Sequence, residues 1–490
     1  MVGIVSYGAY IPYHRITRGE FNRAWGGFSG SGEIAVAAHD EDSITMAVEA
    51  ATDCLTDWDP RSVDALVFAT TTSPYKERLA STIIAAALDL PPSIRTMDIT
   101  GSLRSGATAI GVALDAVKSG SARSVLVAMS DCRLGAPSGE LEQALGSGSA
   151  AVLVGRDRVV AEISGYSHRS NAFSGTWRSE DDVFVRSWED RMVLDVGYSS
   201  VLPEVIAASM QQCSLGPADL TRAVFDAPAN VSRHLAVARS LGIDRQRLQD
   251  PMLSSVGITG AAMAPMMLAS ALEEARAQDT ILFASYGDGA ESFILQVTPA
   301  IGSLAARRGV KRLMESKRIL TNYETYLRWR GIIPLEAAKR PQPTPTSISA
   351  QWRNMREILG LYGVRCLNCG TPQYVSPSSS FSTGVTPIQV CAICHATKGL
   401  EPYRFADKKG TVFTFTQDDL AASVDPPATV VVLDFDGGGR GMFDLTDRDP
   451  SRVEVGMRVE MTFRRLSVDH GIHNYYWKAR PIRCEEEIDG

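Results

Sequence analysis

Four cysteines in the C-terminal third of the chain have the type and spacing that bind a metal ion. They form two Cys-x-x-Cys pairs, Cys366 with Cys369 and Cys391 with Cys394. Each pair can direct two thiolates to one centre, and two pairs supply the four sulfur ligands of a tetrahedral zinc ion. Because four thiolates leave no open coordination position, the pattern predicts a structural zinc site rather than a catalytic one.

The other four cysteines carry weaker signals. Cys54 and Cys213 occupy matching positions in two helix-like segments and are expected in the core. Cys132 follows a strand-like segment and is a minor candidate for a nucleophile, whereas Cys484 adjoins three glutamates that oppose thiolate formation. Metal-like use of cysteine is typical of a reducing compartment, so we expect a cytoplasmic protein.

Composition and charge limit the class of protein. The chain has 490 residues, of which 44% are apolar and 21% charged, and its formal net charge is −7. This length predicts two to four domains, and an acidic balance disfavours nucleic acid, whose binding requires neutralised phosphates. We find no apolar run of the ~18–20 residues that a membrane helix needs, and no secretory signal at the start. We therefore expect neither nucleic acid nor a membrane as a partner.

The elements that must position any reactive residues repeat along the first 300 residues. Three strand-like segments recur in the same order, with Phe68 and Phe225 of the first pair 157 positions apart. The paired segments are 64–70 and 222–228, 123–130 and 279–286, and 150–155 and 291–297. Because these apolar segments alternate with helical patterns, the repeat predicts two similar α/β halves with parallel strands covered on both faces.

Short strings within these halves resemble the thiolase-superfamily branch that contains hydroxymethylglutaryl-CoA synthase and ketoacyl synthase III. They are the opening Ile4–Pro12, Glu140–Gly155 with its Gly-Ser-Gly-Ser-Ala, and Ser285–Ala290 with Tyr-Gly-Asp-Gly. The resemblance implies an α/β thiolase fold of αβαβα layers, with an N-terminal half at 1–165 and a C-terminal half at 166–300. It also implies acyl-CoA as ligand, acyltransferase chemistry and a two-fold homodimer.

The positions that carry catalysis in this branch hold other residues here. The family string Asp-x-x-x-x-Cys-x-x-Gly matches Asp98–Gly106, which puts Leu103 in the place of the acyl-accepting cysteine. The general-base glutamate matches Thr71, and the family histidine matches Asp226. Leucine cannot accept an acyl group, so the resemblance implies a degenerate pocket. Arg104 is a candidate to stabilise an enolate or carboxylate, and Asp226 is a candidate base if burial raises its pKa; alternatively, the site is silent.

After residue 300 the sequence predicts a different organisation. Residues 301–350 predict a basic helical linker, whose segment Arg307–Arg318 is either a solvated connector or a contact for CoA phosphates or an acidic partner. A zinc ribbon is predicted at 351–405, and five strand-like segments predict an OB-fold barrel at 406–490. Ribbon plus barrel resembles the acyl-CoA-associated modules that partner thiolases, which implies a thiolase-like partner. Acidic segments in the barrel disfavour single-stranded nucleic acid as its ligand.

Three functional hypotheses follow from these patterns. The first is a non-catalytic or atypical synthase-like subunit that binds acyl-CoA and docks a separate, cysteine-bearing thiolase. The second is a stand-alone, cysteine-independent acyl-CoA enzyme, such as a decarboxylase, a retro-aldolase or a C–C bond-forming acyltransferase. The third is a scaffold or nucleic-acid-binding protein without affinity for CoA. Turnover by the chain alone distinguishes the second hypothesis from the first, and CoA binding distinguishes both from the third.

Overall fold

The computed structural model describes residues 1–27, 30–336, 346–374 and 388–483. Contacts between residues divide the chain into two compact units. The first unit comprises Met1–Ala37 and Asp42–Tyr326, and the second comprises Ala38–Glu41 and Leu327–Gly490. Residues 301–326, which we expected in a linker, therefore belong to the first unit.

The first unit alternates strands and helices along the chain. Its strands are β1 (Gly3–Tyr10), β2 (His14–Thr17), β3 (Glu33–Val36), β4 (Ala65–Ala69), β5 (Arg95–Ile99), β6 (Ser124–Cys132), β7 (Ser147–Gly155), β8 (Ala161–Ser170), β9 (Thr176–Trp177), β10 (Arg186–Ser187), β11 (Arg222–Phe225), β12 (Thr280–Tyr286), β13 (Gly289–Val297) and β14 (Arg318–Ile319). The helices up to the unit boundary are α1 (Arg18–Trp25), α2 (Ser43–Cys54), α3 (Ser81–Ala87), α4 (Ser105–Lys118), α5 (Glu140–Ala144), α6 (Asp190–Met192), α7 (Ser199–Gln212), α8 (Val231–Ser240), α9 (Met263–Glu274), α10 (Val310–Glu315) and α11 (Tyr323–Trp329).

A nine-stranded sheet with the order β11-β12-β13-β8-β1-β7-β6-β4-β5 confirms the predicted duplication. Outward from the junction of β1 and β8, the strands β7, β6 and β4 correspond to β13, β12 and β11. In each half the two outer strands of this set are parallel, whereas the closing strand is antiparallel to its neighbour. The expectation of purely parallel strands was wrong for the closing strands. In the second half, the tight turn between Tyr286 and Gly289 makes a hairpin, which reverses the chain direction.

Helix α4 is the element that positions the site, and most of its own residues are small or apolar and are buried. Its buried residues include Ala107, Ile110, Ala113 and Leu114, and it packs on β4, β6 and β7. At Gly106, a Cβ atom would lie 2.5 Å from the carbonyl oxygen of Ala261. Only glycine permits this close approach, which brings the start of α4 against the second half of the unit.

The basic segment Arg307–Arg318 packs into the first unit, which corrects its assignment as a solvated or partner-binding linker. Arg307 is only 6% exposed. Side chains of this segment pair with other parts of the unit: Arg307 with Ser6 at 2.9 Å, Arg308 with Glu49 at 2.5 Å, and Lys317 with Glu33 at 2.5 Å. These charges are neutralised or hydrogen-bonded within the fold, so the segment fixes the end of the first unit.

Within the described residues, the helical stretch Asp190–Gln212 is long and apolar enough by composition to cross a membrane. It consists of α6, a π-helical turn at Val193–Tyr198, and α7. This is weak support for a membrane span, because core helices pass the same test. Its apolar residues pack in a buried cluster with β11, β12 and β13, among them Val201, Leu202, Val205 and Ile206. We interpret the stretch as a core helix.

The second unit confirms the ribbon and barrel expected from the sequence. After α12 (Ile348–Arg353) and α13 (Met355–Leu359), its elements are β15 (Tyr362–Cys366), β16 (Pro372–Gln373), β17 (Leu400–Arg404), β18 (Lys409–Asp418), β19 (Ala428–Phe435), β20 (Arg440–Asp444), β21 (Arg458–Asp469) and β22 (Ile472–Pro481). β16, β15 and β17 form a three-stranded sheet that carries the first cysteine pair at its end. The other five strands form a sheet of order β20-β19-β18-β21-β22, each within a few residues of a predicted strand.

Candidate functional site

A cavity of about 610 Å³ lies in the first unit at the carboxyl ends of the strands. Its walls come from the residues after β4, β6 and β11, the end of β12, and the turn before α4. Leu103, Thr71 and Asp226, which match the family's catalytic positions, all line this one cavity. Strand carboxyl ends are the usual place for ligands in α/β proteins, and the volume suits a small molecule or the end of a larger one.

Leu103 stands two residues before α4, where the family resemblance places a nucleophile. Gly287 fixes this position from the other half, because a Cβ atom there would lie 2.9 Å from the Cβ of Leu103. The start of a helix favours a thiolate, but leucine offers no group that can accept an acyl chain. Among the described residues that line the cavity, none is a cysteine. The geometry of the nucleophile position is therefore present without the nucleophile.

Thr71 is held by the buried carboxylate of Asp131, a residue that the sequence analysis did not single out. The hydroxyl and the backbone N–H of Thr71 donate to Asp131 at 2.9 and 2.7 Å. The hydroxyls of Thr70 and Thr72 donate at 2.9 Å each, and the N–H of Ala261 donates at 2.7 Å. Because its hydroxyl is donated into this network, Thr71 supplies no general base to the cavity.

Asp226 is the acidic group with a perturbed pKa in the cavity wall. Its Oδ2 accepts hydrogen bonds from Ser285 Oγ at 2.6 Å and Tyr286 N–H at 2.9 Å, and its Oδ1 accepts one from Ala264 N–H at 3.1 Å. Burial raises its pKa to about 6, against the effect of these hydrogen bonds. A carboxyl group that titrates near neutral pH and is held in one orientation is suited to acid or base catalysis.

Two cationic residues, Arg133 and Arg178, line the cavity, and neither is the Arg104 that was expected there. Arg104 does not line the cavity, because its guanidinium pairs with the buried carboxylate of Glu291 at 2.9 Å. Arg133, directly after β6, does line it and is 8% exposed. The sequence places Arg133 shortly after a predicted strand, which was the signal that could have identified it as a cavity residue. The direction in which its side chain points could not be read from the sequence.

The cysteines of the first unit lie outside the cavity wall. Cys54 is fully buried, and burial raises its pKa to about 12. Cys132 contacts the hydroxyl of Thr72 at 3.8 Å, and Cys213 contacts that of Ser164 at 3.7 Å. None of the three is among the residues that line the cavity. Cys54 is buried as expected, Cys213 is half-buried against the core, and Cys132, the candidate nucleophile, does not reach the cavity wall.

Two tryptophans stand at the rim of the cavity. Trp177 and Trp188 line it, yet they are 37% and 63% exposed. Exposed indole rings beside an opening offer flat apolar faces on which a ring of a ligand can stack. The tyrosines Tyr198 and Tyr286 lie deeper, and the Tyr198 hydroxyl donates to the backbone carbonyl of Asp226 at 2.8 Å.

The four predicted metal ligands form one cluster in the second unit. The sulfur atoms of Cys366, Cys369, Cys391 and Cys394 all lie within 4.8 Å of one another. The Cys366–Cys394 and Cys369–Cys391 separations are both 3.6 Å. Tetrahedral zinc with bonds of about 2.3 Å requires sulfur atoms about 3.8 Å apart, so the cluster fits zinc. A hydrogen bond from Asn368 at 3.3 Å helps to lower the pKa of Cys394 to about 6, which favours the thiolate.

Known proteins resemble the two parts separately. Residues 403–464 match the family described as ChsH2, C-terminal OB-fold domain. Hydroxymethylglutaryl-CoA synthase of Pyrococcus furiosus is 32% identical over 68% of this chain and 93% of its own length. The corresponding enzyme of Methanopyrus kandleri is 30% identical over 67% of this chain and 97% of its own.

Solved structures show the same fold for the first part. 3-Oxoacyl-[acyl-carrier-protein] synthase III of Aquifex aeolicus aligns with a TM-score of 0.56 and 21% identity, over 60% of this chain and 100% of its own. A crystal structure of HMG-CoA synthase complexed with CoA aligns with a TM-score of 0.60 and 19% identity, over 71% and 94%. At these identities the structures establish a thiolase-like fold. The sequence relatives, matched over nearly their whole length, establish that the chain belongs to the hydroxymethylglutaryl-CoA synthase family, here joined to a ChsH2-type OB-fold domain.

Proposed function

We propose that this chain is an atypical synthase-like subunit that binds an acyl-CoA and works with a separate thiolase-like protein. The observation that carries the proposal is Leu103 on the wall of a cavity of about 610 Å³. The cavity keeps the shape for a ligand at the position of the family nucleophile, but its described wall has no cysteine to receive the acyl group. A partner would supply that cysteine, and the chain would remain in the cytoplasm with it.

Coenzyme A thioester is the ligand that the surroundings of the cavity favour. One relative in this fold was crystallised complexed with CoA, and another, MvaS, with 3-hydroxy-3-methylglutaryl coenzyme A. In this chain, the exposed faces of Trp177 and Trp188 are suited to stack with the adenine ring. The acyl end would then occupy the deeper part beside Leu103 and Asp226. As in other thiolase-fold proteins, we expect the first unit to form a homodimer.

The ribbon offers a surface for the partner. Leu367 and Ile393 occupy the turns between the paired cysteines and are 64% and 66% exposed. Trp352 of α12 is 73% exposed. Exposed large apolar and aromatic side chains are the anchors that dominate protein interfaces. A zinc ion in the cysteine cluster would hold the two turns rigidly, so that little entropy is lost when a partner binds.

Co-expression tests the proposal. The chain would be produced together with a cysteine-bearing thiolase-like protein from the same organism and analysed by size-exclusion chromatography and by acyl-CoA turnover. We expect co-elution and activity only in the complex. The double variant Leu367→Ser/Ile393→Ser should separate the proteins while zinc stays bound, whereas Leu335→Ser, also exposed, should not. Separate elution of the unaltered proteins, with turnover by this chain alone, would refute the accessory role.

A second function is favoured by Asp226. Its raised pKa and fixed orientation are those of a general base, and cysteine-independent decarboxylation, retro-aldol cleavage or acyltransfer could use one. In that case the chain alone would turn over an acyl-CoA, and Asp226→Asn would abolish the reaction. Activity of the isolated chain that survives Asp226→Asn would exclude this mechanism.

A further inference from the structure

Arg133 is a buried cation whose charge is not used by the fold. It is 8% exposed and lines the cavity, and among the residues that the structure describes its guanidinium makes no hydrogen bond or close ion pair. The acidic group that influences its charge is Asp131, whose oxygens already accept five hydrogen bonds from other donors. Buried guanidinium groups normally have partners, because an unpaired buried charge is costly.

No acidic side chain on the cavity wall among the described residues pairs with the positive charge of Arg133. Burial lowers its pKa, and the charge of Arg178 adds to this effect while Asp131 opposes it. Arg178 donates to the carbonyl oxygen of Thr71 at 2.5 Å, so it lies at the same side of the cavity. The other acidic residues of the cavity wall do not pair with Arg133. Three of them are exposed, namely Glu140, Asp190 and Asp288, and the carboxylate of Asp226 accepts hydrogen bonds from Ser285 and Tyr286.

We propose that Arg133 binds a carboxylate on the acyl group of the CoA thioester, so that the cavity selects acid-bearing acyl groups over neutral ones. The inference rests on the proposed acyl-CoA function. A guanidinium presents two parallel N–H donors that match the two oxygens of a carboxylate. The bound anion would also relieve the repulsion between Arg133 and Arg178.

The anion is assigned to the acyl group because of where Arg133 lies. Arg133, Thr71 and Leu103 line the same cavity, and Leu103 marks the position at which the thioester would react. In coenzyme A, the whole pantetheine arm separates the thioester from the diphosphate. A phosphate would therefore lie toward the rim with Trp177 and Trp188, whereas a carboxylate at the far end of a short acyl chain would reach the buried guanidinium.

Isothermal titration with matched thioesters tests the assignment. Glutaryl-CoA and valeryl-CoA have acyl chains of the same length, with and without a terminal carboxylate, and free CoA reports on the phosphates. For Arg133→Met we expect glutaryl-CoA to bind about 10- to 100-fold more weakly, since a charge-assisted pair is lost. Valeryl-CoA and CoA should bind as before. Arg133→Lys should retain part of the preference as a point charge, and the exposed Arg61→Met should change nothing.

The outcomes separate this inference from the function on which it rests. If the unaltered chain binds none of the three ligands, the proposed acyl-CoA function fails. If it binds them but Arg133→Met leaves the preference for glutaryl-CoA over valeryl-CoA unchanged, the carboxylate assignment is wrong. Equal weakening of all three ligands would show that Arg133 serves the phosphates. The melting temperature of Arg133→Met should equal or exceed that of the unaltered protein, because no described hydrogen bond or ion pair is removed and methionine keeps an apolar stem of similar length; a large decrease would reveal a structural role instead.

Discussion

Replacement of Asp226 by asparagine should change the stability of the first unit in a pH-dependent way. The pKa of this carboxyl is raised from 3.8 to about 6 by burial, although three hydrogen bonds favour its ionised form. The folded state therefore binds the proton more tightly than the unfolded state. Asparagine has nearly the same shape but does not titrate, so it removes this linkage.

The magnitude follows from the shift of about two pKa units. At about 1.36 kcal/mol per unit, ionised Asp226 costs the folded state at most about 3 kcal/mol, and less if water in the cavity screens the charge. Below pH 3.8 both states are protonated and there is no cost. Between pH 3.8 and about 6 the free energy of unfolding falls as the pH rises, and above pH 6 the full cost is present. Asparagine escapes this cost but places one N–H against a backbone donor, a penalty of about 1–3 kcal/mol at every pH.

Thermal unfolding of both proteins from pH 4.5 to pH 7.5 measures the effect as a difference, in which the other titrating groups cancel. We expect Asp226→Asn to be less stable than the unaltered protein at pH 4.5 and to become equal or more stable at pH 7.5. Ser285→Ala removes the 2.6 Å hydrogen bond that stabilises the ionised form of Asp226, so the pKa of Asp226 should rise. The pH range over which the stability falls should then shift upward. A stability difference that stays constant over the whole range would show that Asp226 does not titrate there, and the reasoning would be wrong.

Two further predictions concern the cysteines and their absence from the cavity. Cys391→Ser should abolish zinc binding, measured by metal analysis, and unfold the second unit, since zinc contributes on the order of 10 kcal/mol to the folding of small zinc modules, while the melting transition of the first unit remains. Cys213→Ser, in the first unit, should keep its zinc, and zinc-free unaltered protein would contradict the assignment. Leu103→Cys should gain an acyl adduct when incubated with acetyl-CoA, because the start of α4 favours a thiolate. Intact-protein mass spectrometry should show no adduct on the unaltered chain, and one found there would mean that another residue is the nucleophile.

Local signals made much of the architecture predictable. The two Cys-x-x-Cys pairs and the strand patterns of the barrel depend on neighbours within a few residues, and both were confirmed. The duplication was visible because Phe68 and Phe225 lie in apolar strands at one offset. The direction of the strands was less predictable, because it depends on whether the segments before β7 and β13 reverse the chain or cross over the sheet.

The site residues that were not predicted from the sequence are those whose roles depend on the direction of the side chain or on partners distant in the sequence. Arg104 and Arg133 both stand beside residues of the cavity wall, but one turns to Glu291 and the other lines the cavity. The basic segment after residue 300 looked solvated because its acidic partners, such as Glu49, are distant in the sequence. Asp131 was overlooked because its five donors come from two segments that only the fold brings together.

The cavity has two features that are unfavourable for the free protein and that support the proposed role in holding a ligand. Arg133 is buried without a described partner, and Asp226 is held where ionisation is unfavourable. In a site without a ligand neither feature would be favoured, because apolar residues of similar size would fill the space without the free-energy cost of a buried charge. A ligand that binds only the folded state adds about 2.7 kcal/mol of stability at a concentration of 100 times its Kd, which offsets such costs. Under the proposed acyl-CoA function, Leu103 leaves the chain without the family nucleophile, and an anionic acyl thioester would give the charge of Arg133 a partner.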